Sequence, residues 1–415
     1  MPKFKLQDCC IFISDGDHQA PPKAEEGVPF ITISNITSNN RLDFNNAMHV
    51  PIDYYASISD TKKAKKNDVL YSIVGSFGKP VLVDDNLKFV FQRHIAILRP
   101  DTNRILPEFL YYSMLNPKFY AIADKLAIGA AQRTLTLDSL RNIEIEVPAL
   151  VEQKKIVDII APIDIKIRTN VQINDYLEEI AKTIYDYWFM QFDFPNDCGM
   201  PCKPSGGCMD ITNDNKNIPK TWKKLSISDI CTLKNGINYE KDIKGDKDYT
   251  IVNVRDITAS SLFIDNSSCD RISLPSILAN KYLIPKDSIL IARSGTPGSV
   301  RLVQGNDNNI IYCGFIIAVT PLDSRYKNYL AFTLKKYEGS NATQTGGSIL
   351  KNVSQDTLNA LTISYPPSDV VENFNTMVKP ILQQIAANSD EISKLIHIRD
   401  WLLPMLMNGQ ATIKD

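Results

Sequence analysis

The sequence predicts an α+β protein with two mixed α/β domains, joined by two long antiparallel helices that form an intramolecular coiled coil. Residues 148–189 carry apolar side chains at heptad spacing, and such a narrow stripe on a helix needs a partner helix. A matching stretch lies about 218 residues further along the chain. The segments that precede the two stretches also match each other, which indicates a pseudo-twofold internal repeat of a domain plus a helix.

Length and composition set the limits of this prediction. A chain of 415 residues, 44% apolar and 22% charged, can bury two substantial cores. No run of about 18 apolar residues is present, and the first ten residues lack the apolar core of a signal peptide, so we expect a cytoplasmic protein. The net charge of −1 gives no global signal for nucleic acid, so a DNA-binding surface has to be a local basic patch.

The first domain is predicted over 1–148. Short β-branched runs between Gly, Pro, Asn and Asp turns predict strands at 30–33, 69–74, 81–83 and 94–98. Apolar residues on one face predict a helix over 106–125, and alternation of apolar and polar residues predicts a strand over 140–147.

The first long helix is predicted over 149–193, with a kink or restart at Pro162, because an internal proline removes a backbone hydrogen bond. A segment rich in Pro, Gly, Asn and Asp predicts a linker over 194–217. The repeat then predicts a second domain over 218–366, a second long helix over 367–408 and a tail over 409–415. Within the repeat, the turn Gly75–Gly78 matches Gly295–Gly298, and Asp68 matches Asp287.

The seam of the coiled coil is predicted from residues that coincide in the two helices. These are Ile163, Ile167, Asn170 and Leu177 in the first helix, and Ile381, Ile385, Asn388 and Leu395 in the second. Asn170 and Asn388 are expected to fix the register at some cost in stability. In the alternative interpretation, the two asparagines face solvent on a slightly rotated helix.

Three of the eight cysteines cluster, at Cys198, Cys202 and Cys208. Zinc needs four ligands, and this segment supplies three with no histidine nearby. Cys231 is a possible fourth ligand, although it lies in a predicted strand. The favoured interpretation is a linker with free thiols, so we predict no metal site.

Taken together, these features resemble the specificity (S) subunit of type I restriction-modification systems. The similar stretches are 68–75 and 287–298, 129–145 with 147–153, 218–222, and 399–409. The resemblance covers almost the whole chain, and the order and duplication of the motifs are more specific than any one of them.

The resemblance implies a non-catalytic DNA reader, in which each domain is a target recognition domain for one half of a split, asymmetric sequence. The paired helices would hold the two domains at opposite ends and dock methyltransferase (M) subunits, expected to number two. Those partners would bring S-adenosylmethionine for adenine-N6 methylation, and restriction (R) subunits would bring ATP and magnesium. No cofactor is expected in this chain.

Candidate DNA contacts are loop residues near glycines with hydroxyl, amide or cationic side chains, which suit phosphate oxygens and base edges. They are Ser76, Lys79, Gln132, Arg133 and Thr134 in the first domain, and Arg293, Ser294, Thr296, Lys351 and Asn352 in the second. The alternative for each is a solvated surface side chain. The basic run 62–66 either follows the phosphate backbone or forms a solvated turn.

Several alternatives remain open. An adenine methyltransferase would carry an Asn/Asp-Pro-Pro-aromatic motif, whereas Pro21–Pro22 and Pro366–Pro367 lack those neighbours. A phosphate-binding Gly-rich loop motif is also missing. Two other functions fit the same architecture, namely a two-module scaffold that binds only proteins and a methyltransferase specificity factor without a nuclease partner.

We also predict a docking surface for the modification subunits, because two paired helices cannot bury all of their large side chains. Its members are Tyr176, Leu177, Tyr185 and Trp188 with Ile392, Leu395 and Trp401. The alternative is that these side chains pack onto the recognition domains.

Overall fold

The computed structural model describes residues 1–37, 39–129, 132–195, 209–211, 217–239, 245–304, 309–338 and 353–409. The chain divides into two compact units, one formed by Met1–Arg168 with Lys394–Asp415 and the other by Thr169–Ser393. Each unit contains one mixed α/β domain and parts of both long helices. The predicted fold class is thereby confirmed. None of the described helices is long and apolar enough to cross a membrane.

The domain of the first unit has nine strands and five short helices within the described residues. In chain order they are β1 (Lys3–Lys5), α1 (Leu6–Cys9), β2 (Cys10–Asp15), β3 (Val28–Ile31), β4 (Met48–Val50), α2 (Ile52–Ser57), β5 (Val69–Ser72), β6 (Pro80–Leu82), β7 (Val90–Phe91), β8 (Ile95–Pro100), α3 (Pro107–Leu115), α4 (Pro117–Leu126), α5 (Leu137–Asn142) and β9 (Glu144–Glu146).

The central sheet of this unit is antiparallel, with strand order β2-β8-β5-β6. Strand β8 starts with four consecutive apolar side chains, all fully buried. Ile95 and Ile97 join one apolar cluster, while Ala96 and Leu98 join another. Both faces of the strand are therefore covered, which explains a continuous apolar run in place of alternation. The sheets β4-β3-β7 and β1-β9 complete the domain.

The long helix α6 (Leu150–Tyr185) follows and ends in a π-helical turn, Asp186–Met190. The second unit then has β10 (Met209–Ile211), β11 (Asn217–Pro219), β12 (Lys223–Ser226), α7 (Ile227–Ile230), β13 (Cys231–Asn235), β14 (Lys247–Val252), α8 (Val254–Ala259), β15 (Asp270–Leu274), α9 (Ser276–Ala279), β16 (Ile289–Ala292), β17 (Val300–Leu302), β18 (Ile310–Tyr312), β19 (Ile316–Pro321), α10 (Lys327–Lys335), α11 (Gln355–Asn359), β20 (Thr362–Tyr365) and the long helix α12 (Ser368–Met407).

The second domain repeats the topology of the first. Its sheets have the orders β13-β19-β16-β17, β15-β14-β18 and β12-β20, and β10-β11 is an addition. In both repeats the strand before the glycine turn starts after a residue with positive φ, Asn67 at 75° and Asp287 at 62°. Asp287 is thus the equivalent of Asn67, and Ser288 is the equivalent of Asp68. The predicted match of Asp68 with Asp287 is wrong by one residue, because Asn and Asp are both favoured in this left-handed conformation.

The long helices run antiparallel within each unit. In the first, the start of α6 and the end of α12 share one apolar cluster, and Arg399 pairs with Asp164. In the second, the end of α6 and the start of α12 share another, and Asn388 donates to Asn174 at 2.8 Å. The expected restart at Pro162 is wrong, since α6 continues through the proline as one helix, and a kink there stays a prediction. Buried Ile160 and Ile167 hold the helix on both sides of the proline, which offsets one lost hydrogen bond.

The predicted seam residues face inward to different degrees. Ile167, Asn170, Ile385 and Asn388 are buried, whereas Ile163, Leu177, Ile381 and Leu395 are half-buried. Asn170, only 1% exposed, donates its side-chain amide to Glu391 at 2.7 Å, and the Asn388 carbonyl oxygen accepts from Gln384 at 2.8 Å. Both asparagines therefore lie within the helix pair and have polar partners. Their role in fixing the register stays a prediction.

Two expected elements differ from the structure. The helix predicted over 106–125 is divided into α3 and α4 at Asn116, whose side chain caps α4 by accepting from the Lys118 backbone at 2.9 Å, ahead of Pro117. The strand predicted over 140–147 begins as α5, because Thr136 caps a helix there, and only Glu144–Glu146 is strand. Most of the predicted linker (194–217) and tail (409–415) lies outside the described residues.

Candidate nucleic-acid interface

A glycine turn follows strand β5 in the first unit. Gly75 and Gly78 have φ of 69° and 95°, a conformation that favours glycine. A side chain at Gly78 would also collide with Tyr120, since its Cβ would lie 2.4 Å from the ring. Ser72 fixes the turn, because its hydroxyl donates to the Ser76 carbonyl and accepts from the Lys79 backbone, each at 3.0 Å. Ser76 is therefore held at the surface on a rigid turn.

The loop that carries Gln132, Arg133 and Thr134 lies beside this turn. The Gly75 amide donates to the Arg133 carbonyl at 2.9 Å, and Thr134 closes the loop through two backbone hydrogen bonds to Ile128. The structure thus brings together both groups of candidates in the first domain. Gln132 is exposed, but Arg133 forms an ion pair with Asp124 at 2.9 Å, and Lys79 donates to the Ile36 carbonyl at 3.4 Å.

The equivalent turn of the second unit lies between β16 and β17. Gly295 and Gly298 again have positive φ, at 75° and 85°. Thr296 shares a hydrogen bond with Thr258 at 3.0 Å, and Ser294 is half-buried. Arg293 donates to the carbonyls of Gly314 and Val353, each at 3.3 Å, so it braces the neighbouring loops. Lys351 and Asn352 lie outside the described residues.

Sequence reasoning missed a third loop in each domain, the turn that leads into the central strand β8 or β19. The Ile73 amide donates to the His94 carbonyl at 2.9 Å, and the Arg293 amide donates to the Phe315 carbonyl at 2.8 Å. This turn therefore lies against the glycine turn in both repeats. Arg93 is the signal that could have indicated it, because it is an exposed basic residue two positions before the apolar strand β8.

The backbone of the basic run 62–66 is hydrogen-bonded to the core of the domain. Arg99 donates to the Lys63 carbonyl at 3.1 Å, and the Lys65 backbone donates to Asp68 at 2.7 Å. This segment is a structured turn over a buried ion pair.

No cluster of potential metal ligands occurs in the described parts of the chain. Cys198, Cys202 and Cys208 fall outside those parts. Cys231 is buried in β13, and burial raises the pKa of its thiol to about 12. Burial therefore disfavours the thiolate form, which is the form that zinc binds.

The predicted docking surface on the long helices needs correction. Tyr185 and Trp188 are buried in the second unit, because Tyr185 packs on Phe332 (ring centroids 5.8 Å apart) and Trp188 on Phe374 (6.0 Å). Leu177, Ile392 and Leu395 are half-buried. Tyr176 and Trp401, 67% and 58% exposed, are the two members that remain accessible.

Both domains have a glycine turn beside the turn before the central strand, and each domain is built onto parts of both long helices. The model of the type I restriction modification DNA specificity domain matches this chain twice, at residues 3–179 and 219–394. The chain belongs to this family. The two matches coincide with the internal repeat, and they confirm the resemblance found in the sequence.

Individual relatives agree with this assignment. The chain is 25% identical over 450 residues to the type I restriction enzyme HindI specificity subunit of Haemophilus influenzae, which covers 93% of this chain and 95% of the relative. It is 24% identical over 325 residues to the MjaIX specificity subunit of Methanocaldococcus jannaschii, with coverage of 75% and 70%. These names confirm the prediction of a specificity subunit that is not by itself an enzyme.

Among solved structures, the S subunit of a type I restriction-modification system from M. genitalium matches with a TM-score of 0.51. The match covers 100% of this chain and 96% of that one at 15% identity. At this identity it supports the fold alone.

Proposed function

We propose that this chain recognises a bipartite, asymmetric DNA target and docks methyltransferase and restriction subunits of a type I restriction-modification complex. The main support for this proposal is the duplication, since the two domains share one framework but present different side chains on equivalent loops. Two domains with different side chains on these loops are expected to recognise two different DNA half-sites. In this proposal S-adenosylmethionine, ATP and magnesium belong to the partner subunits, and the chain acts in the cytoplasm, where DNA is accessible.

Adenine methylation of the host genome tests this proposal. When the gene is deleted, one interrupted motif with two different halves should lose methylation, and restoring the gene should restore it. Binding of the purified chain, with its methyltransferase subunits, to duplex DNA should weaken steeply as salt is raised, because phosphate contacts release counterions. A flat salt response together with an unchanged methylome would favour the protein-only scaffold.

We propose a revised docking surface for the methyltransferase subunits on the outer face of α6 in the second unit. Its members are exposed apolar residues spaced by three, four and seven positions, namely Ile173, Tyr176, Ile180 and Tyr187. This spacing places them on one helix face. On α12 in the first unit, Ile398 and Trp401 are also exposed, and Ile398 is the repeat equivalent of Ile180. Each long helix thus has an exposed apolar surface, with Ile180 and Ile398 in equivalent positions, and this suits two copies of one partner.

Charge substitution tests this surface. Tyr176→Lys or Ile180→Lys should lower co-purification of methyltransferase subunits at least about tenfold, because an unpaired charge would be buried at the contact. Asp175→Lys is the control, since Asp175 is exposed on the same helix and is not three, four or seven positions from any member of the stripe. Normal co-purification of both stripe variants would refute this docking surface.

A further inference from the structure

The turn before the central strand has the same backbone in both repeats. In the first unit, three backbone amides of the turn donate to carbonyl oxygens at 2.9 Å. Gln92 donates to Ile31, Arg93 donates to Asp17, and Ile95 donates to Gln92. In the second, the amides of Cys313, Gly314 and Ile316 donate to Val252, Ile237 and Cys313, at 3.0, 2.7 and 3.0 Å. Each turn is therefore held rigidly at the start of the central strand, where the first four side chains are buried.

The side chains on this common backbone differ completely. Arg93 and His94 in the first repeat correspond to Gly314 and Phe315 in the second, because Ile95 and Ile316 take the same place in the two central sheets. The Arg93 side chain is exposed and has no ion-pair partner among the residues that the structure describes. Phe315 is 60% exposed.

These turns lie against the loops that hold the other candidate DNA contacts. In the first unit, Ile73 connects them, since its amide donates to His94 and its carbonyl accepts from Leu135, next to Thr134. In the second unit, Arg293 connects them through Phe315 and Gly314. A rigid backbone with variable tips beside a loop cluster is the arrangement expected of base-reading side chains, which have to be positioned accurately.

We propose that Arg93 and Phe315 determine the specificity of the two half-sites, an inference that rests on the proposed function. Arg93 donates hydrogen bonds to a guanine edge in the major groove, the commonest partner of arginine in base readout. Phe315 packs on the methyl group of a thymine, a contact that apolar side chains make in the same groove. One half-site is thus read partly by hydrogen bonding and the other partly by apolar contact.

The test measures methylation by the complex of the full chain with its methyltransferase subunits, on duplexes randomised in one half-site at a time. Arg93→Ala should reduce the preference at one base pair of the first half-site about tenfold and leave the second half-site unchanged. Phe315→Ala should reduce the preference at one base pair of the second half-site and leave the first half-site unchanged. Both side chains are exposed, so unfolding temperatures close to that of the wild type should accompany these changes.

Matched controls come from the far ends of the same strands. Arg104→Ala removes a guanidinium beyond the end of β8, and Leu322→Ala removes a 67% exposed apolar side chain beyond the end of β19. Both should keep the wild-type preference at every position. If Arg93→Ala and Phe315→Ala change only the overall rate, or nothing, the inference is wrong. If the wild-type complex itself shows no bipartite preference, the proposed function fails instead.

Discussion

The central sheets of the two domains align strand by strand, yet they bury their charges at different places. In the first domain, Asp68 is 1% exposed and accepts two hydrogen bonds from Arg99, at 2.8 and 2.7 Å. At the equivalent positions of the second domain, Ser288 and Thr320 share one hydrogen bond of 2.8 Å. The second domain buries Arg301 instead, at the position that Val81 occupies in the first.

The helix pair shows the same contrast. In the first unit, Arg399 donates to buried Asp164 at 3.1 Å, and Arg168 lies 3.8 Å from the same carboxylate. In the repeat, which is offset by 218 residues, Asp164 corresponds to Leu382 and Arg399 corresponds to Ala181. Both of these residues are buried in the apolar cluster of the second unit.

The apolar framework is therefore common to both halves, while buried charge is placed independently in each. A buried ion pair adds little net stability over an apolar pair, but the loss of one partner is strongly destabilising. Such pairs can be exchanged for apolar or hydroxyl pairs only when both positions change. Each domain can thus diverge from the other without loss of the fold, as two unlike DNA readers require.

The largest effect is expected for Asp68→Ala. This change leaves Arg99 partly buried without its carboxylate, so the first unit should lose about 3–5 kcal/mol of unfolding free energy. Ser288→Ala, the matched change in the second unit, should remove about 1 kcal/mol, because only one neutral hydrogen bond is lost. Urea unfolding followed by hydrogen exchange in β5 and β16 reads the two units separately. Equal losses in both would contradict the comparison.

A smaller effect is expected from changes in the helix pair. Arg399→Ala should destabilise the first unit by about 2–3 kcal/mol, since Asp164 would keep only the more distant Arg168. Asp164→Leu combined with Arg399→Ala installs the residues of the second unit and should recover the wild-type stability to within about 1 kcal/mol. Hydrogen exchange along α6 measures both variants. A double variant as unstable as Arg399→Ala would show that the two helix contacts are not equivalent.

The sequence was sufficient to predict the repeat, the long helices and their pairing, because heptad spacing and duplicated motifs are properties of the chain itself. Features that depend on tertiary packing were missed. Pro162 leaves α6 unbroken because its neighbours are buried, and Asn116 divides a predicted helix by capping its second part. For the candidate site, the sequence indicated the glycine turns but not the turns before β8 and β19, and it did not indicate the role of each cation. Arg293 braces carbonyl groups, a role that depends on side-chain reach.

The smallest effect on the unfolding free energy is expected when the pH is lowered. Arg301 donates to both carboxylate oxygens of Glu338, at 2.7 and 3.0 Å, and Lys335 lies 3.3 Å from one of them. Burial by itself favours the protonated carboxyl, but the charges of Arg301 and Lys335 outweigh it and hold the pKa of Glu338 below its ordinary value. The stabilisation is therefore present above the pKa of the unfolded chain, about 4.3, and is lost as the pH falls through the lower pKa of the folded state.

Glu338→Gln should remove this part of the acid response in the second unit and leave the first unit unaltered, since Val81 replaces the arginine there. The measurement is the difference in unfolding free energy between wild type and Glu338→Gln from pH 7 to pH 3, read by hydrogen exchange in β17. That difference should shrink as the pH falls, because protonation already uncouples Glu338 in the wild type. A difference that stays constant with pH would mean that Arg301 is held by its backbone partners, the Ser260 and Val300 carbonyls at 2.8 and 2.7 Å, and not by the carboxylate.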